Sequence, residues 1–137
     1  MTGRLLVDTG PIVAILLESD QHHEECVEQL RHIRGSLPTC WPVITEAAWL
    51  LSAYPQAIRK LLSSFYGRPF ELVSLGETDL PGIAAILAKY EGLGIQLADA
   101  SLAHLANREG VETMFTLDRR DFGVLRLAHG KKLRLLP

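Results

Sequence analysis

Four carboxylates, each beside a short apolar run, are the residues of this sequence best suited to chemistry: Asp8, Glu46, Asp99 and Asp118. In a chain that alternates strands with helices, the edges of such runs gather at one end of the sheet. Acids from separate segments can therefore converge on one metal ion. Carboxylates held that close repel one another and raise at least one pKa, and a divalent cation relieves the repulsion. Oxygen-only ligands favour Mg²⁺ or Mn²⁺ over zinc.

Each of these acids also has an ordinary structural explanation when it is taken alone. Asp8 and Asp99 can cap helices. Glu46 can complement a helix dipole, and Asp118 can form an Asx-turn. Four acids at the edges of strands and helices are nevertheless harder to explain separately than as one site, so we favour a shared acidic site.

The elements that would position these acids alternate along the chain. Short apolar runs predict strands at residues 4–7, 37–41, 70–73, 111–116 and 133–136. Helical spacing predicts helices that start at Pro11, Pro42 and after Pro55, and further helices over residues 21–34, 79–90 and 98–108. Parallel strands need crossover connections, which are usually helices. The pattern predicts an α/β fold with a mostly parallel central sheet flanked by helices.

Length and composition are those of one globular domain. The 137 residues contain 47% hydrophobic side chains, and neither a repeat nor a long linker divides them, so we predict a single domain over residues 1–137. The longest apolar runs are too short to span a membrane, and Cys26 and Cys40 lack paired spacing. We therefore expect a cytoplasmic protein with two partly buried free thiols and no membrane association.

Charge is distributed unevenly although the net charge is only −2. Residues 1–37 carry three basic and six acidic side chains, whereas residues 100–137 carry seven basic and four acidic ones. The net charge argues against a protein that grips nucleic acid by overall positive charge. The segments Arg119-Arg120 and Lys131-Lys132-Leu133-Arg134 can meet phosphates or form an ordinary solvated surface.

Four motifs, in this order and spacing, carry a resemblance that spans nearly the whole chain: Leu5-Leu6-Val7-Asp8-Thr9-Gly10-Pro11, Thr45-Glu46-Ala47-Ala48, Ala98-Asp99-Ala100-Ser101-Leu102, and Thr116-Leu117-Asp118-Arg119-Arg120-Asp121-Phe122. The chain resembles PIN-domain ribonucleases, particularly the VapC toxin subunits of VapBC toxin–antitoxin pairs. The resemblance implies a three-layer α/β/α PIN fold.

The resemblance also implies a role for each matching residue. It makes Asp8, Glu46, Asp99 and Asp118 the acidic metal site, and adds Asp121 as a further metal-site acid, with direct and indirect roles both open. Neighbouring hydroxyls would be those of Thr9 and Thr116, and the side chains that hold the RNA backbone would be Arg119 and Arg120. This chain has Gly10 where the family usually has Ser or Asn, so any side-chain hydrogen bond from that position is absent.

The implied activity is Mg²⁺- or Mn²⁺-dependent hydrolysis of RNA phosphodiester bonds, which leaves a 5′-phosphate. A VapC-like toxin is expected to form a homodimer through its helices and to be inhibited by a small antitoxin that covers the acidic groove. A solitary PIN nuclease in RNA processing and a non-catalytic binding module are alternatives. Asp8-Thr9-Gly10 is also the active-site triplet of retroviral-type aspartic proteases, but those are nearly all β and would leave the other three acids unexplained.

Other side chains capable of binding have simpler interpretations. His22 and His23 are expected to face solvent rather than bind a metal, because adjacent helical residues point about 100° apart. His104 is expected to lie away from Asp99. We interpret Trp41 and Trp49 as core or interface aromatics rather than as platforms for stacked bases.

Overall fold

Short parallel strands and helices alternate along residues 4–137, which are the part of the chain that the computed structural model describes. Residues 1–3 of the predicted domain lie outside the described residues. The strands are β1 (Leu5–Val7), β2 (Leu37–Thr39), β3 (Phe70–Leu72), β4 (Thr113–Phe115) and β5 (Arg134–Leu136). The helices are α1 (Thr9–Leu16), α2 (His23–Arg31), α3 (Trp41–Leu50), α4 (Pro55–Tyr66), α5 (Leu80–Lys89), α6 (Leu97–Glu109) and α7 (Arg119–Val124). The predicted α/β class is confirmed.

All paired strands are parallel, and they form two adjoining sheets. One sheet has the order β1-β4-β5, and β2 pairs with β3 in the other. The Thr39 hydroxyl donates a hydrogen bond to the Val7 carbonyl at 2.9 Å and so joins β2 to β1. The order across both sheets is therefore β3-β2-β1-β4-β5. Strands β2 and β3 lie on one side of β1, and β4 and β5 lie on its other side, so the strand order changes direction between β1 and β4. Ligands of open α/β sheets bind outside the carboxyl ends of the strands at such a switch point.

The carboxyl ends of β1 and β4 lie in the hydrophobic core. Val7 and Phe115, the last residues of these strands, are fully buried. Helices α1, α3 and α6 pack over them with the buried side chains Ile12, Val43, Leu102 and Leu105. Side chains that follow β1 and β4 are therefore attached to a buried, close-packed part of the fold.

Several element boundaries differ from the predicted ones. Helix α1 begins at Thr9 rather than at Pro11, because Asp8 accepts a hydrogen bond from the Thr9 amide at 2.7 Å and caps the helix there. Helix α3 begins at Trp41, so that Glu46 lies in its second half rather than near its start. Helix α7 was not predicted; its six residues are too few to show a helical period. Helix α6 ends at Glu109, one residue beyond the predicted end, and is followed by Gly110, whose φ of +67° suits glycine.

Some expectations for single side chains are wrong. Trp41 and Trp49 are 55% and 76% exposed, so they are not core residues, and the interface interpretation stays a prediction. His23 is half-buried, and its Nδ1 is 2.6 Å from the Ala14 carbonyl oxygen, so it does not simply face solvent. Both cysteines, Cys26 and Cys40, are free and fully buried.

The fold also contradicts the aspartic-protease alternative. Thr9 and Gly10 form the first turn of a helix in a parallel α/β structure, whereas that class of protease is nearly all β. Within residues 4–137, no helix is both long and apolar enough to cross a bilayer.

Candidate active site

Asp8 is the most buried of the five predicted acids and is fixed by two hydrogen bonds. It follows β1 directly and is 6% exposed. Its Oδ1 accepts from the Thr9 amide at 2.7 Å, and its Oδ2 accepts from the Thr116 hydroxyl at 2.8 Å. Thr116 follows β4, so this second bond connects the ends of the two adjacent strands. The carboxylate is thereby held in one orientation.

Burial raises the pKa of Asp8 from its ordinary value of 3.8 to about 7, although both hydrogen bonds oppose the increase. The negative charges of Asp99 and Glu46 raise it further. The ionised form of Asp8 is therefore a buried negative charge that neighbouring acids also disfavour.

Asp99 lies in the first turn of α6 and is coupled to acids from two other elements. Its Oδ2 accepts a hydrogen bond from the Gln96 amide at 3.0 Å, which stabilises the helix start. Burial raises the pKa of Asp99, and the charges of Glu46, Asp118 and Asp121 add to the increase. Acids on α3, α6 and α7 therefore influence one another.

Asp118 and Asp121 are positioned by helix α7. Asp118 precedes this helix, and its Oδ1 accepts a hydrogen bond from the Asp121 amide at 2.9 Å. The Asp118 amide donates to the Thr116 hydroxyl, also at 2.9 Å, so Thr116 connects Asp118 to Asp8. Burial and the charge of Asp118 raise the pKa of Asp121. Asp118 and Asp121 are three residues apart because Asp118 caps α7 by accepting a hydrogen bond from the amide of Asp121.

A single cavity of about 490 Å³ is lined by all five acids, and we call it the acidic cavity. Its lining residues are Asp8, Thr9, Gly10, Glu46, Leu50, Gly94, Gln96, Asp99, Leu117, Asp118 and Asp121. No Lys, Arg or His occurs among these lining residues, so no basic side chain of the cavity wall balances its carboxylates.

The donor set of the acidic cavity suits a divalent cation that prefers oxygen. The Thr9 hydroxyl oxygen is buried without a hydrogen-bond partner and belongs to the same lining. Within residues 4–137, no three His, Cys, Asp or Glu side chains are already arranged as a metal-binding group. Their carboxylates would have to move closer together around an ion, which mutual repulsion opposes until the ion is present.

A model of the PIN domain matches residues 5–126. The chain belongs to the PIN-domain family. Ribonuclease VapC26 of Mycobacterium tuberculosis is 27% identical over 135 residues, which are 97% of this chain and 100% of that protein. Both the recognised family and the resemblance to VapC proteins are thus confirmed.

Solved structures agree with this PIN domain in fold. The crystal structure of Mycobacterium tuberculosis VapC20, a Sarcin-Ricin loop cleaving toxin, matches with a TM-score of 0.78 and 14% identity, over 85% of this chain and 91% of that one. A toxin–antitoxin complex from Klebsiella pneumoniae matches with a TM-score of 0.67 and 18% identity, over 90% of this chain and 92% of that one.

The two predicted substrate-binding arginines of this PIN domain lie outside the lining of the acidic cavity. Arg119 is exposed, and its Nη2 donates one hydrogen bond to the Pro137 carbonyl. Arg120 is exposed, and its charge lowers the pKa of Asp121. Arg120 therefore lies close enough to the acids to influence them and is open to a ligand.

Sequence reasoning missed Gln96 and Leu50 as residues of the PIN-domain cavity. Gln96 lies three residues before Asp99, a separation typical of a capping box, and this signal could have identified it. Leu50 is the last residue of α3 and is 55% exposed; no local pattern distinguishes it from a core leucine. At Gly10, an added Cβ would lie 3.4 Å from Leu117 side-chain atoms, so a Cβ fits there in close contact with Leu117.

Proposed function

We propose that this protein is an endoribonuclease that hydrolyses RNA phosphodiester bonds with Mg²⁺ or Mn²⁺ and acts as a VapC-like toxin. The observation that carries the proposal is the convergence of five acids from four regions of the chain on one cavity whose described lining contains no Lys, Arg or His. Acidic side chains with a purely structural role are ordinarily paired with basic side chains or exposed to solvent. The similarity to Ribonuclease VapC26 along the whole chain supports the reaction class.

The carboxylates of Asp8, Glu46, Asp99 and Asp118 would hold the cation, and Asp121 would assist directly or through Asp118. A divalent cation so held supplies an activated water and stabilises negative charge on the leaving 3′ oxygen. Asp8 contributes a fixed orientation, because its two oxygens are engaged by Thr9 and Thr116. Thr116 positions Asp8 and Asp118 at once.

Substrate RNA would approach the acids past α7. Arg120 is exposed beside Asp121 and is our first choice for a contact with the backbone. Arg119, whose Nη2 donates to the Pro137 carbonyl, would contact the backbone through its remaining N–H groups. Because the cavity wall itself is acidic, the phosphate would depend on the bound cation to enter it.

We propose further that a small antitoxin covers this site and that the protein forms a homodimer through its helices. Large exposed apolar side chains on and just after α3 support a covered surface there: Trp41, Trp49, Leu50 and Tyr54. Leu50 also lines the acidic cavity, so a partner that binds the end of α3 would also reach the carboxylates. A basic side chain of the antitoxin would neutralise them. A toxin–antitoxin complex from Klebsiella pneumoniae and DNA-bound VapBC from Salmonella typhimurium are among the proteins of similar fold.

The test is cleavage of a mixed structured RNA by purified protein with Mg²⁺, with Mn²⁺ and with EDTA. Wild type should cleave only with metal, and Asp8→Asn and Asp99→Asn should lose activity while keeping the wild-type circular dichroism spectrum. Glu24→Gln is the matched control, because Glu24 is exposed on α2 and does not line the acidic cavity. If both variants cleave as fast as wild type, the activity is a contaminant. If the folded wild type cleaves no RNA with either metal, the binding-module alternative replaces the nuclease proposal.

A further inference from the structure

A second cavity, of about 790 Å³, lies at the amino ends of the strands, whereas the acidic cavity lies beyond their carboxyl ends. Three arginines from distant parts of the sequence line it, and we call it the basic cavity. Arg4 precedes β1, Arg134 begins β5, and Arg34 lies between α2 and β2. The parallel arrangement brings them together, because all strands begin at the same edge.

Positive charge predominates in the basic cavity. Glu71 is the one carboxylate among its described lining residues, and its Oε1 accepts a hydrogen bond from the Ser36 hydroxyl at 2.7 Å. Nη1 of Arg4 is 3.6 Å from Oε1 of Glu109, a residue outside the lining, and the Arg4 side chain is 52% exposed. Arg34 is exposed and makes no hydrogen bond or ion pair within residues 4–137. An arginine held next to others in a concave surface without a partner suits an anionic ligand.

The chemistry of the lining favours phosphate groups of a polymer. The planar guanidinium group matches the geometry of a phosphate and donates two parallel hydrogen bonds to it. Among the described residues of the lining, only His32 carries an aromatic ring, and its Nδ1 lies 2.9 Å from the Glu28 carbonyl oxygen. A base would therefore find one imidazole and no Phe, Tyr or Trp on which to stack. Because the arginines are exposed, the phosphates of an extended RNA chain could contact them from the opening of the basic cavity.

We infer that the basic cavity binds backbone phosphates of the substrate RNA, outside the cleavage site and without regard to base sequence. The inference rests on the proposed function, because the RNA held there is the one that the acidic cavity cleaves. Its contribution falls on substrate affinity, since the arginines and the carboxylates lie at opposite edges of the sheets. Long RNAs would benefit, whereas very short ones would not reach both cavities.

Binding is measured first, in EDTA, where the proposed cleavage does not occur. Fluorescence anisotropy of a long, unstructured, end-labelled RNA is followed at increasing salt for wild type, Arg34→Gln and Arg4→Gln. Each variant should raise the dissociation constant severalfold and reduce the dependence of log K on log salt by about 0.7 per lost phosphate contact. Arg59→Gln is the matched control, because Arg59 is exposed on α4 and lines neither cavity. It should bind as wild type does.

Cleavage with Mg²⁺ is the second measurement. Arg34→Gln should raise KM for the long RNA and leave kcat unchanged, and it should cleave a trinucleotide at the wild-type rate. If wild type cleaves RNA but Arg34→Gln and Arg59→Gln match in both assays, the inference is wrong and the nuclease proposal stands. If Arg34→Gln weakens RNA binding but the wild type has no activity, phosphate binding stands and the nuclease proposal is wrong. Displacement of the RNA by a polyglutamate peptide of equal charge, or Arg34-dependent binding of AMP but not of RNA, would overturn the choice of ligand.

Discussion

Asp8 and Asp79 are similarly buried, at 6% and 7% exposure, yet they lie in opposite electrostatic surroundings. Asp79 accepts hydrogen bonds from His104 Nε2 at 2.8 Å and from Arg108 Nη1 at 3.1 Å. Among the described residues, Asp8 accepts only from neutral donors, the Thr116 hydroxyl and a backbone amide. The pKa of Asp79 is accordingly lowered to about 2, chiefly by the hydrogen bond from His104, whereas that of Asp8 is raised to about 7 by burial.

This difference separates a structural acid from a candidate functional one. Asp79 ends the 3₁₀ turn before α5, while His104 and Arg108 lie on α6, so the three side chains connect neighbouring elements and satisfy one another. Asp8 has no such basic partner within residues 4–137, and under the proposed function a bound cation would balance its charge. Burial of a carboxylate is therefore informative about function only together with its partners.

The largest effect expected from the comparison is on RNA cleavage. Asp8→Asn should lower kcat/KM at least about a hundredfold, because even residues that merely orient metal ligands contribute about 10- to 100-fold. Asp79→Asn should change kcat/KM little at a temperature where it remains folded, since Asp79 does not line the acidic cavity. Initial rates on one RNA, with circular dichroism of each protein, compare the two. Equal losses in both variants would show that burial alone explains them.

The gathering of the acids on one cavity could be predicted from the sequence, because its signal is local. Each acid adjoins an apolar run, and the alternation of strands and helices is enough to bring such edges together. Only the detail was lost: Glu46 lies farther along α3 than Pro42 suggested, because the helix begins at Trp41. The relation of Asp118 to Asp121 needed α7, which is too short to be recognised by its period.

The sequence could not predict the Asp79 cluster or the basic cavity, because neither has a local signal. Asp79 and its partners are separated by 25 and 29 positions without any regular pattern. By sequence alone, Arg134 belongs only to a basic C-terminal segment. Its neighbours in the basic cavity, Arg4 and Arg34, come from the acidic N-terminal part of the chain, and only the strand order brings them together. Tertiary contacts between distant charges are what single-sequence patterns omit.

The second effect concerns stability with and without metal. Because the folded state raises the pKa of Asp8 from 3.8 to about 7, it binds the proton more tightly than the unfolded state does. Stability contributed by this group is present below about pH 4 and is lost as the pH rises to about 7. At about 1.4 kcal/mol per pKa unit, the loss at pH 8 is a few kcal/mol. Asp8→Asn should therefore melt at a higher temperature than wild type in EDTA at pH 8, but not at pH 4.

Mg²⁺ should reverse that order, because it stabilises only a protein that binds it. Thermal unfolding of wild type at pH 8 should shift upward as Mg²⁺ is added, while the Asp8→Asn midpoint shifts less. A wild-type midpoint that does not respond to Mg²⁺ or Mn²⁺ would contradict a cation site in the acidic cavity, whatever the activity assay reports.

Asp79 should show the opposite dependence on pH. Its folded pKa of about 2 lies below the ordinary 3.8, so its contribution is present above about pH 4 and is lost as the pH falls towards 2. Asp79→Asn should lower the melting temperature at pH 7 by more than Glu24→Gln does, and the difference should shrink in acid. Thermal melts at pH 7 and at pH 3 test this. A melting temperature unchanged at pH 7 would mean that the cluster with His104 and Arg108 contributes nothing to stability.

The smallest effect expected is a reversal of the usual consequence of replacing glycine within a helix. Gly82 lies in α5, and an added Cβ would be 2.5 Å from Nδ1 of His104, the ring that donates to Asp79. Gly→Ala in a helix ordinarily stabilises by about 0.5–1 kcal/mol, which is expected for Gly123→Ala in α7, where the added Cβ would meet nothing within 4 Å. Gly82→Ala should instead destabilise, because the ring must move away from Asp79. In a His104→Ala background the same change should become stabilising, since the obstructing ring is gone. Chemical denaturation of wild type, Gly82→Ala, His104→Ala and the double variant gives the interaction free energy between the two positions. An equal effect of Gly82→Ala in both backgrounds would mean that the His104 ring does not obstruct a side chain at position 82.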